Sequence, residues 1–166
     1  MTLPILTLGD PALSRPARPV VAEDLRNPAI AELFATLREF RVRAGFGRAI
    51  AAPQVGLPLR LVAMELGQGP ILMVNPRITW RSPETFTLWD DCLSVPDRLV
   101  LVRRHCSISV HFQDQDLRPR RWTRLPRELS ELVQHELDHL DGVLMTDRAE
   151  PGDSVRPIAD RAELGP

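Results

Sequence analysis

Residues 129–140 read LSELVQHELDHL, and the fold and the chemistry of the chain are best approached from this stretch. Its apolar residues recur at helical spacing, at Leu129, Leu132, Val133, Leu137 and Leu140. Pro126 precedes the stretch and Gly142 follows it, which predicts a helix that begins near the proline and is capped near the glycine. Because residues four apart lie on one face of a helix, His135 and His139 would present both imidazoles to a single metal ion.

A catalytic metal site usually takes three protein ligands and keeps one position open, so a third ligand is needed. Cys92 is the candidate we favour, because it lies in the polar, loop-like stretch 89–96 and a thiolate binds zinc or ferrous iron well. A downstream carboxylate, Glu150 or Glu163, is the alternative that a metalloprotease would require, although neither lies in a convincing further helix. Glu136 is placed to accept a proton from a water at such a site.

The rest of the sequence predicts a helix followed by several strands. Apolar spacing favours a helix over 28–44, with Ile30, Leu33, Phe34, Leu37 and Phe40 on its buried face. Two strands are expected over 59–66 and 71–80, and an alternating strand over 106–112. The polar segment 114–121 reads as a turn that leads to another strand. Because helices and strands do not alternate, we predict an α+β fold with mainly antiparallel pairing.

Composition indicates one ordinary domain. The chain has 166 residues, of which 43% are hydrophobic and 26% charged, and its formal net charge of -1 gives no general attraction to nucleic acid or to an anionic membrane. The first ten residues do not resemble a secretory signal, and two cysteines cannot make a disulfide framework, so we expect a reducing, cytoplasmic location. Cys106 is expected to be a small buried residue on its strand. Residues 1–148 would form the catalytic domain, and the proline-containing tail 149–166 has a composition compatible with partial disorder.

A second motif lies at 47–54, which reads GRAIAAPQ. Its small residues let the backbone approach a ligand closely, and the Gln54 amide can donate a hydrogen bond to an oxyanion. Together with Cys92-Leu93-Ser94 and the stretch QHELDH at 134–139, and in this order, it resembles the three signature motifs of the peptide deformylases. Weaker similarity spans most of the chain, at Asp10–Leu13, Asn75–Pro76 and His139–Gly142.

The resemblance implies a fold in which antiparallel strands wrap around a central helix that carries the HExxH motif. It also implies an activity, the removal of the N-formyl group from the N-terminal formyl-methionine of nascent peptides, with release of formate. The implied ligands of one divalent metal ion are Cys92, His135 and His139. Ferrous iron is the expected ion, with zinc or nickel as alternatives, because the ligand types do not distinguish them.

The same resemblance implies roles for three further residues. Glu136 would be the general base, and the Gln54 side chain and the backbone N–H of Leu93 would bind the developing oxyanion. An N-formylated peptide is the expected partner. The resemblance also implies the ribosome as a transient partner, although the short, acidic-leaning tail does not match the basic helix that some family members use for this contact.

The substrate-binding residues implied by the resemblance are Gly47, Arg48, Ala49 and Asp91. This chain departs from the family here: Ala49 replaces the usual glycine, Arg48 replaces a common aliphatic residue, and Asp90-Asp91 replaces Glu-Gly. One hypothesis is that Arg48 and Asp91 face each other across the mouth of the site. Two further readings therefore stay open: a hydrolase with the same machinery that acts on a different N-acylated substrate, and a non-catalytic relative that binds without reacting.

Overall fold

The computed structural model describes residues 1–164, which form three α-helices and two antiparallel β-sheets. The helices are α1 (Ala29–Ala44), α2 (Arg127–Leu140) and α3 (Arg161–Leu164). The strands are β1 (Ala49–Ala51), β2 (Leu61–Glu65), β3 (Pro70–Arg81), β4 (Thr85–Cys92), β5 (Val95–His105), β6 (Ile108–Gln113), β7 (Pro119–Trp122) and β8 (Val155–Pro157). The larger sheet has the order β1-β2-β3-β6-β7 and the smaller one β4-β5-β8, which confirms the predicted combination of helices with antiparallel sheets.

Strands β1 and β2 are buried on both faces, because α1 covers one face and α2 the other. Successive side chains of a strand point to opposite faces. Ile50 of β1 therefore packs in one apolar cluster with Leu37 of α1, whereas Ala49 and Ala51 pack in another with Leu137 of α2. This alternation brings Ala49 to the face of the sheet that meets the two histidines.

Helix α2 is buried along most of its length, although nine of its 14 residues are polar. Every residue from Ser130 to Leu140 is buried. Two of these polar side chains bond to the strand beside the helix: Gln134 Oε1 accepts a hydrogen bond from the backbone N–H of His105 at 3.0 Å, and the Ser130 hydroxyl donates to the His105 carbonyl at 2.9 Å. Hydrogen-bonded polar side chains are tolerated in a core, and these two fix α2 against the smaller sheet.

The predicted boundaries of the first helix and the first hairpin agree closely with the structure. Helix α1 spans Ala29–Ala44, one residue shorter than predicted, and the side chain of Asn27 accepts a hydrogen bond from the Ala29 N–H at 3.0 Å. Gly45 ends the helix with a left-handed φ of 79°. The strands expected over 59–66 and 71–80 are β2 and β3.

The description of 89–96 as loop-like is wrong. Cys92 is the last residue of β4, and β5 begins at Val95, so the two strands form a hairpin with a tight Leu93-Ser94 turn. The polar residues were misleading because the Asp90 side chain is buried against a cationic partner, so its polarity does not mark an exposed loop.

The prediction that Cys106 is a buried strand residue is also wrong. The strand is β6, which begins at Ile108, and Cys106 is half-buried in the connection before it. Its N–H donates to the Glu84 carbonyl at 2.9 Å. The alternation of apolar and polar residues begins two residues before the strand pairing does, so the pattern alone placed the boundary two residues early.

The described part of the tail packs onto the smaller sheet. Strand β8 pairs with β5, with Val155 opposite Val100, and α3 follows it. A three-residue strand is too short to produce a periodic signal, and its partner, β5, lies far away in the sequence. The composition of the tail therefore did not reveal this order, and residues 165–166 lie outside the described residues. No helix within residues 1–164 is long and apolar enough to cross a membrane.

Candidate active site

Cys92, His135 and His139 meet in the interior of the protein. The end of β4 supplies the cysteine, and adjacent turns of α2 supply the two histidines. Cys92 Sγ lies 3.4 Å from His139 Nε2, which lies 3.2 Å from His135 Nε2. All three side chains are buried, and one ligand atom of each lies within 4.8 Å of the others. The structure thus brings together the three residues predicted to hold a metal.

The chemistry of this donor set fits a divalent transition metal. The carboxylate of Asp90 accepts a hydrogen bond from His135 Nδ1 at 2.8 Å, which leaves the lone pair of His135 Nε2 facing the other two donors. Within residues 1–164, His139 Nδ1 is buried without a hydrogen-bond partner. Two imidazole nitrogens and a sulfur therefore converge in a buried space, where no other group bonds them strongly. These are the ligand types of zinc and ferrous iron.

Sequence reasoning missed a buried ionic network behind the histidines. Arg104 on β5 donates to Asp90 at 3.0 Å and to Asp138 at 2.8 Å, and the arginine residue is only 3% exposed. Burial opposes the charged form of Asp90, but His135 and Arg104 outweigh it and lower the pKa of this carboxyl to about 2. Asp90 therefore stays an anion that orients His135.

Asp90 had a usable sequence signal and Arg104 had almost none. Asp90 lies two residues before Cys92, so alternation along a strand would place both side chains on one side. Arg104 is one of 21 arginines in a chain without lysine, and nothing in its local sequence distinguishes it.

Glu136 is a buried carboxylate beside the three donors. It is 4% exposed, and its Oε2 has no hydrogen-bond partner within the described chain. Burial raises its pKa to about 7. A carboxylate with such a pKa can both accept and return a proton near neutral pH.

Gln54 and Leu93 line one small cavity together with Cys92, His135 and Glu136. Gln54 belongs to a 3-10 turn, Ala52–Val55, and its Oε1 accepts a hydrogen bond from the Ala51 N–H at 2.9 Å. That bond directs the amide nitrogen toward Ser94 Oγ at 3.1 Å and Cys92 Sγ at 3.7 Å. The donor end of the amide therefore faces the ligand cluster.

Arg48 and Asp91 line the same cavity, as the hypothesis that they face each other across the mouth requires, but each forms its ion pair with another residue. Arg48 forms an ion pair with Glu131 on α2, and Asp91 forms one with Arg161 of α3 at 2.5 Å. Both pairs join residues that are far apart in the sequence and that the tertiary structure brings together. Neither pair could be inferred from local sequence. All four predicted substrate-binding residues nevertheless line the cavity: Gly47, Arg48, Ala49 and Asp91.

The alternative carboxylate ligands do not join the cluster. Glu150 pairs with Arg103 on β5 at 3.0 Å, and Glu163 lies on α3 at the periphery. Among the described residues, the group that could hold a metal is the cysteine with the two histidines.

Comparison with known proteins agrees with this geometry. Residues 2–154 match the family model of polypeptide deformylase. The chain belongs to the polypeptide deformylase family. It is 35% identical to the peptide deformylase of Thermotoga maritima over 153 residues, which cover 89% of this chain and 87% of that protein.

Solved structures of deformylases share the fold. The crystal structure of the Thermotoga maritima peptide deformylase superposes with a TM-score of 0.82 at 33% identity, covering 91% of this chain and 99% of that one. The Synechococcus elongatus peptide deformylase, solved in complex with actinonin, gives a TM-score of 0.79 at 33% identity and covers 89% and 79% of the two chains. Members of this family are metal-dependent hydrolases, so the chain is a deformylase-type enzyme.

Proposed function

We propose that this chain hydrolyses the N-formyl group of N-terminal formyl-methionine on nascent peptides and releases formate. The observation that carries the proposal is the convergence of a Cys-His-His donor set, a buried carboxylate and an oriented amide donor around one cavity. Metal-assisted hydrolysis of an amide uses a Lewis acid, a base and an oxyanion site; the donor set would hold the first, and the carboxylate and the amide donor supply the other two.

Cys92, His135 and His139 are the residues that would hold the ion. A bound divalent ion would supply Lewis acidity, polarising the formyl oxygen and lowering the pKa of a water. Ferrous iron is the ion we favour, with zinc or nickel as alternatives, since thiolate and imidazole suit all of them.

The protein's own groups carry the protons and position the substrate. Glu136 would take a proton from the attacking water and return it to the leaving amine. The new bond joins the water oxygen to the formyl carbon, and the bond that breaks joins that carbon to the peptide nitrogen. Gln54 Nε2–H and the Leu93 N–H would donate to the formyl oxygen as negative charge develops on it. Asp90, held by Arg104, would keep His135 in the orientation that ligation requires.

The proposed setting is the cytoplasm, where formylated nascent chains and reduced thiols occur together, with transient ribosome contact as part of the proposal. Free Cys92 supports a reducing compartment.

The proposal also divides the chain into a catalytic domain, residues 1–148, and a tail, and it places α2 at the centre with the strands arranged around it. The contacts of α2 with β1, β2 and β5 support that arrangement.

A second candidate is a hydrolase with the same machinery that acts on a different N-acylated substrate. The charged pair of Arg48 and Glu131 in the cavity wall favours it, because a thioether side chain is apolar.

Formate release is the experiment that tests the proposal. Protein purified anaerobically and loaded with ferrous iron is incubated with formyl-Met-Ala-Ser and with a series of other formylated and acetylated tripeptides, beside a Glu136→Ala control. Release of formate that the control loses supports a deformylase. Release of acetate but not of formate would support the second candidate, and metal-loaded protein that cleaves no peptide would contradict both.

A further inference from the structure

Residues of both sheets and of α2 line a second cleft, apart from the cavity that contains the metal ligands. Strand β3 of the larger sheet and strands β4 and β5 of the smaller one contribute to it, and its volume is about 440 Å³. That volume lies in the range of pockets that hold small molecules. The cleft shares no lining residue with the cavity beside Cys92, so a ligand bound in it would occupy a separate site.

Arginine dominates the lining of this cleft. Six arginines line it, and two aspartates are the acidic residues among them. The arginines are Arg60, Arg77, Arg81, Arg103, Arg104 and Arg148, and the aspartates are Asp138 and Asp141. Because these arginines come from four separate parts of the chain, their convergence is a product of the tertiary structure and leaves no motif in the sequence.

Four of the arginines have carboxylate partners. The ion pairs are Arg60–Asp141, Arg103–Glu150, Arg104–Asp90, Arg104–Asp138 and Arg148–Asp138. Asp90 and Glu150 lie outside the lining, and with them four carboxylates face six guanidinium groups. The cleft therefore keeps an excess of two positive charges, although the net charge of the whole chain is -1.

Arg77 and Arg81 on β3 carry this excess charge. Within residues 1–164 neither forms an ion pair with a carboxylate, and both are exposed. Arg77 Nη2 lies 3.4 Å from His111 Nδ1, and a neutral imidazole does not balance the charge of a guanidinium group. Two arginines in one cleft thus have their planar forks of N–H donors free for an anion with several oxygen atoms.

Arg104 adds a buried donor to the same cleft. The residue is 3% exposed, and its Nε has no hydrogen-bond partner within the described chain. Its two other nitrogens donate to Asp90 and Asp138. A buried N–H without an acceptor is rare in folded proteins, and a bound water or ion commonly accounts for it. Because Arg104 lines the cleft, its spare donor is a second observation that favours an anion there.

The charge of the cleft matches a phosphomonoester. Such a group carries a charge of about -1.5 to -2 near neutral pH and has three strong acceptor oxygens. A phosphodiester or a single carboxylate carries one negative charge and would leave about half of the excess unbalanced. Pro76, Ile78 and Leu137 also line the cleft and would contact the organic part of a small ligand.

We propose that this cleft is a binding site for a small ligand that carries a phosphomonoester group, held by Arg77 and Arg81. The site is independent of the proposed hydrolysis, because it lies apart from the Cys-His-His cluster. Its ligand and the formylated peptide would therefore bind without competing for the same residues.

Equilibrium dialysis of the metal-loaded enzyme at low salt and pH 8 tests the proposal with two probes. Phenyl phosphate is a monoester, and methyl phenyl phosphate is a diester with the same ring and one negative charge fewer. We expect the monoester to bind at least about tenfold more tightly, because charge-assisted hydrogen bonds are the strong ones. Equal affinities would point to a backbone phosphate such as that of RNA and would overturn the proposal. Absence of phenyl phosphate binding would overturn it as well.

A pair of variants locates the bound phosphate. Arg77→Gln/Arg81→Gln removes the excess charge and should weaken phenyl phosphate binding by about 10- to 100-fold. Arg26→Gln/Arg43→Gln removes the same charge at exposed positions outside the cleft and should bind the probe as the wild type does. Circular dichroism of both variants checks that the fold is kept. Unchanged binding in Arg77→Gln/Arg81→Gln would assign the phosphate to the metal ion instead, and an equal loss in both variants would indicate a general effect of charge. Either result overturns the site, whether or not the enzyme releases formate.

Discussion

The carboxylate of Asp90 accepts a hydrogen bond from Nδ1 of His135 at 2.8 Å, and both side chains are buried. This contact determines which ring nitrogen of His135 faces the ligand cluster. It also links the end of β4, which carries Cys92, to the helix that carries the histidines. Two of the three donors are thus positioned by one carboxylate.

Asp90→Asn should weaken metal binding by about 10- to 100-fold. The amide keeps the shape of the side chain but removes the negative charge that orients His135 and increases its basicity. Affinity is measured by competition with a chelator of known strength. Asp97→Asn, at an exposed position on β5, is the matched control and should bind metal as the wild type does. Equal affinities in the two variants would contradict the role of Asp90.

Arg104→Met should lower the free energy of unfolding by about 3–5 kcal/mol, because it leaves the buried carboxylate of Asp90 without its guanidinium partner and leaves Asp138 with Arg148 alone. The arginine donates to both Asp90 and Asp138. Denaturant unfolding monitored by circular dichroism measures the change. Arg103→Met, on the same strand but in an exposed pair with Glu150, should cost at most about 1 kcal/mol. A similar loss of stability in both variants would show that the burial of Arg104 and its carboxylate partners does not matter.

Glu136→Gln should reduce kcat by about 100- to 10,000-fold, because the amide cannot accept and return a proton. Its effect on metal content should be small, since the carboxylate is not one of the three converging donors. Formate release under saturating substrate, together with metal analysis of the same sample, measures both quantities. Loss of the metal along with the activity would instead assign Glu136 to the ligand set.

The sequence was informative wherever a few neighbouring residues act together. Helix α2 and the pairing of His135 with His139 follow from spacing alone, because both depend on one turn of one helix. Cys92 lies far away in the chain, and its selection depended on its chemistry and then on the resemblance of three ordered motifs.

Pairings between distant elements could not be predicted. Arg48 could meet Asp91 or Glu131, and only the packing of α2 beside β1 decides between them. In the same way, Arg104 acquires its importance from two carboxylates on β4 and α2. With 21 arginines and 22 acidic residues, the sequence allows many pairs, and tertiary structure selects a few.

Asp24 makes the stability of the N-terminal arm, the segment before α1 (residues 1–28), depend on pH. Its bond with Arg18 at 2.7 Å and its acceptance of the Val21 N–H lower its pKa from 3.8 to about 2. Because the pKa is lower in the folded chain, this stabilisation is present above about pH 4 and is lost as the pH falls toward 2. The free energy of unfolding of Asp24→Asn should therefore approach that of the wild type as the pH is lowered through this window. The free energy of unfolding of Arg18→Gln should also approach that of the wild type over most of this range. A difference in stability between variant and wild type that stays constant with pH would contradict the role of Asp24.

Gly142→Ala should destabilise the end of α2 more than a glycine substitution at an open turn. Gly142 has a φ of 75°, and a Cβ there would lie 2.7 Å from the backbone carbonyl of Ser14. Gly152 has a similar φ of 89° but open space around it, so Gly152→Ala measures the conformational strain alone, about 1–2 kcal/mol. The backbone clash at Gly142 should add about 1–3 kcal/mol to that cost, because the N-terminal arm must move away from the helix. The Leu140 carbonyl accepts a hydrogen bond from the Ala17 N–H at 2.8 Å, and this contact should weaken with the same movement. Denaturant unfolding of both variants measures the difference, and hydrogen exchange at Ala17 locates it. Equal losses of stability at the two positions would mean that the arm yields without cost and does not brace the helix that bears the histidines.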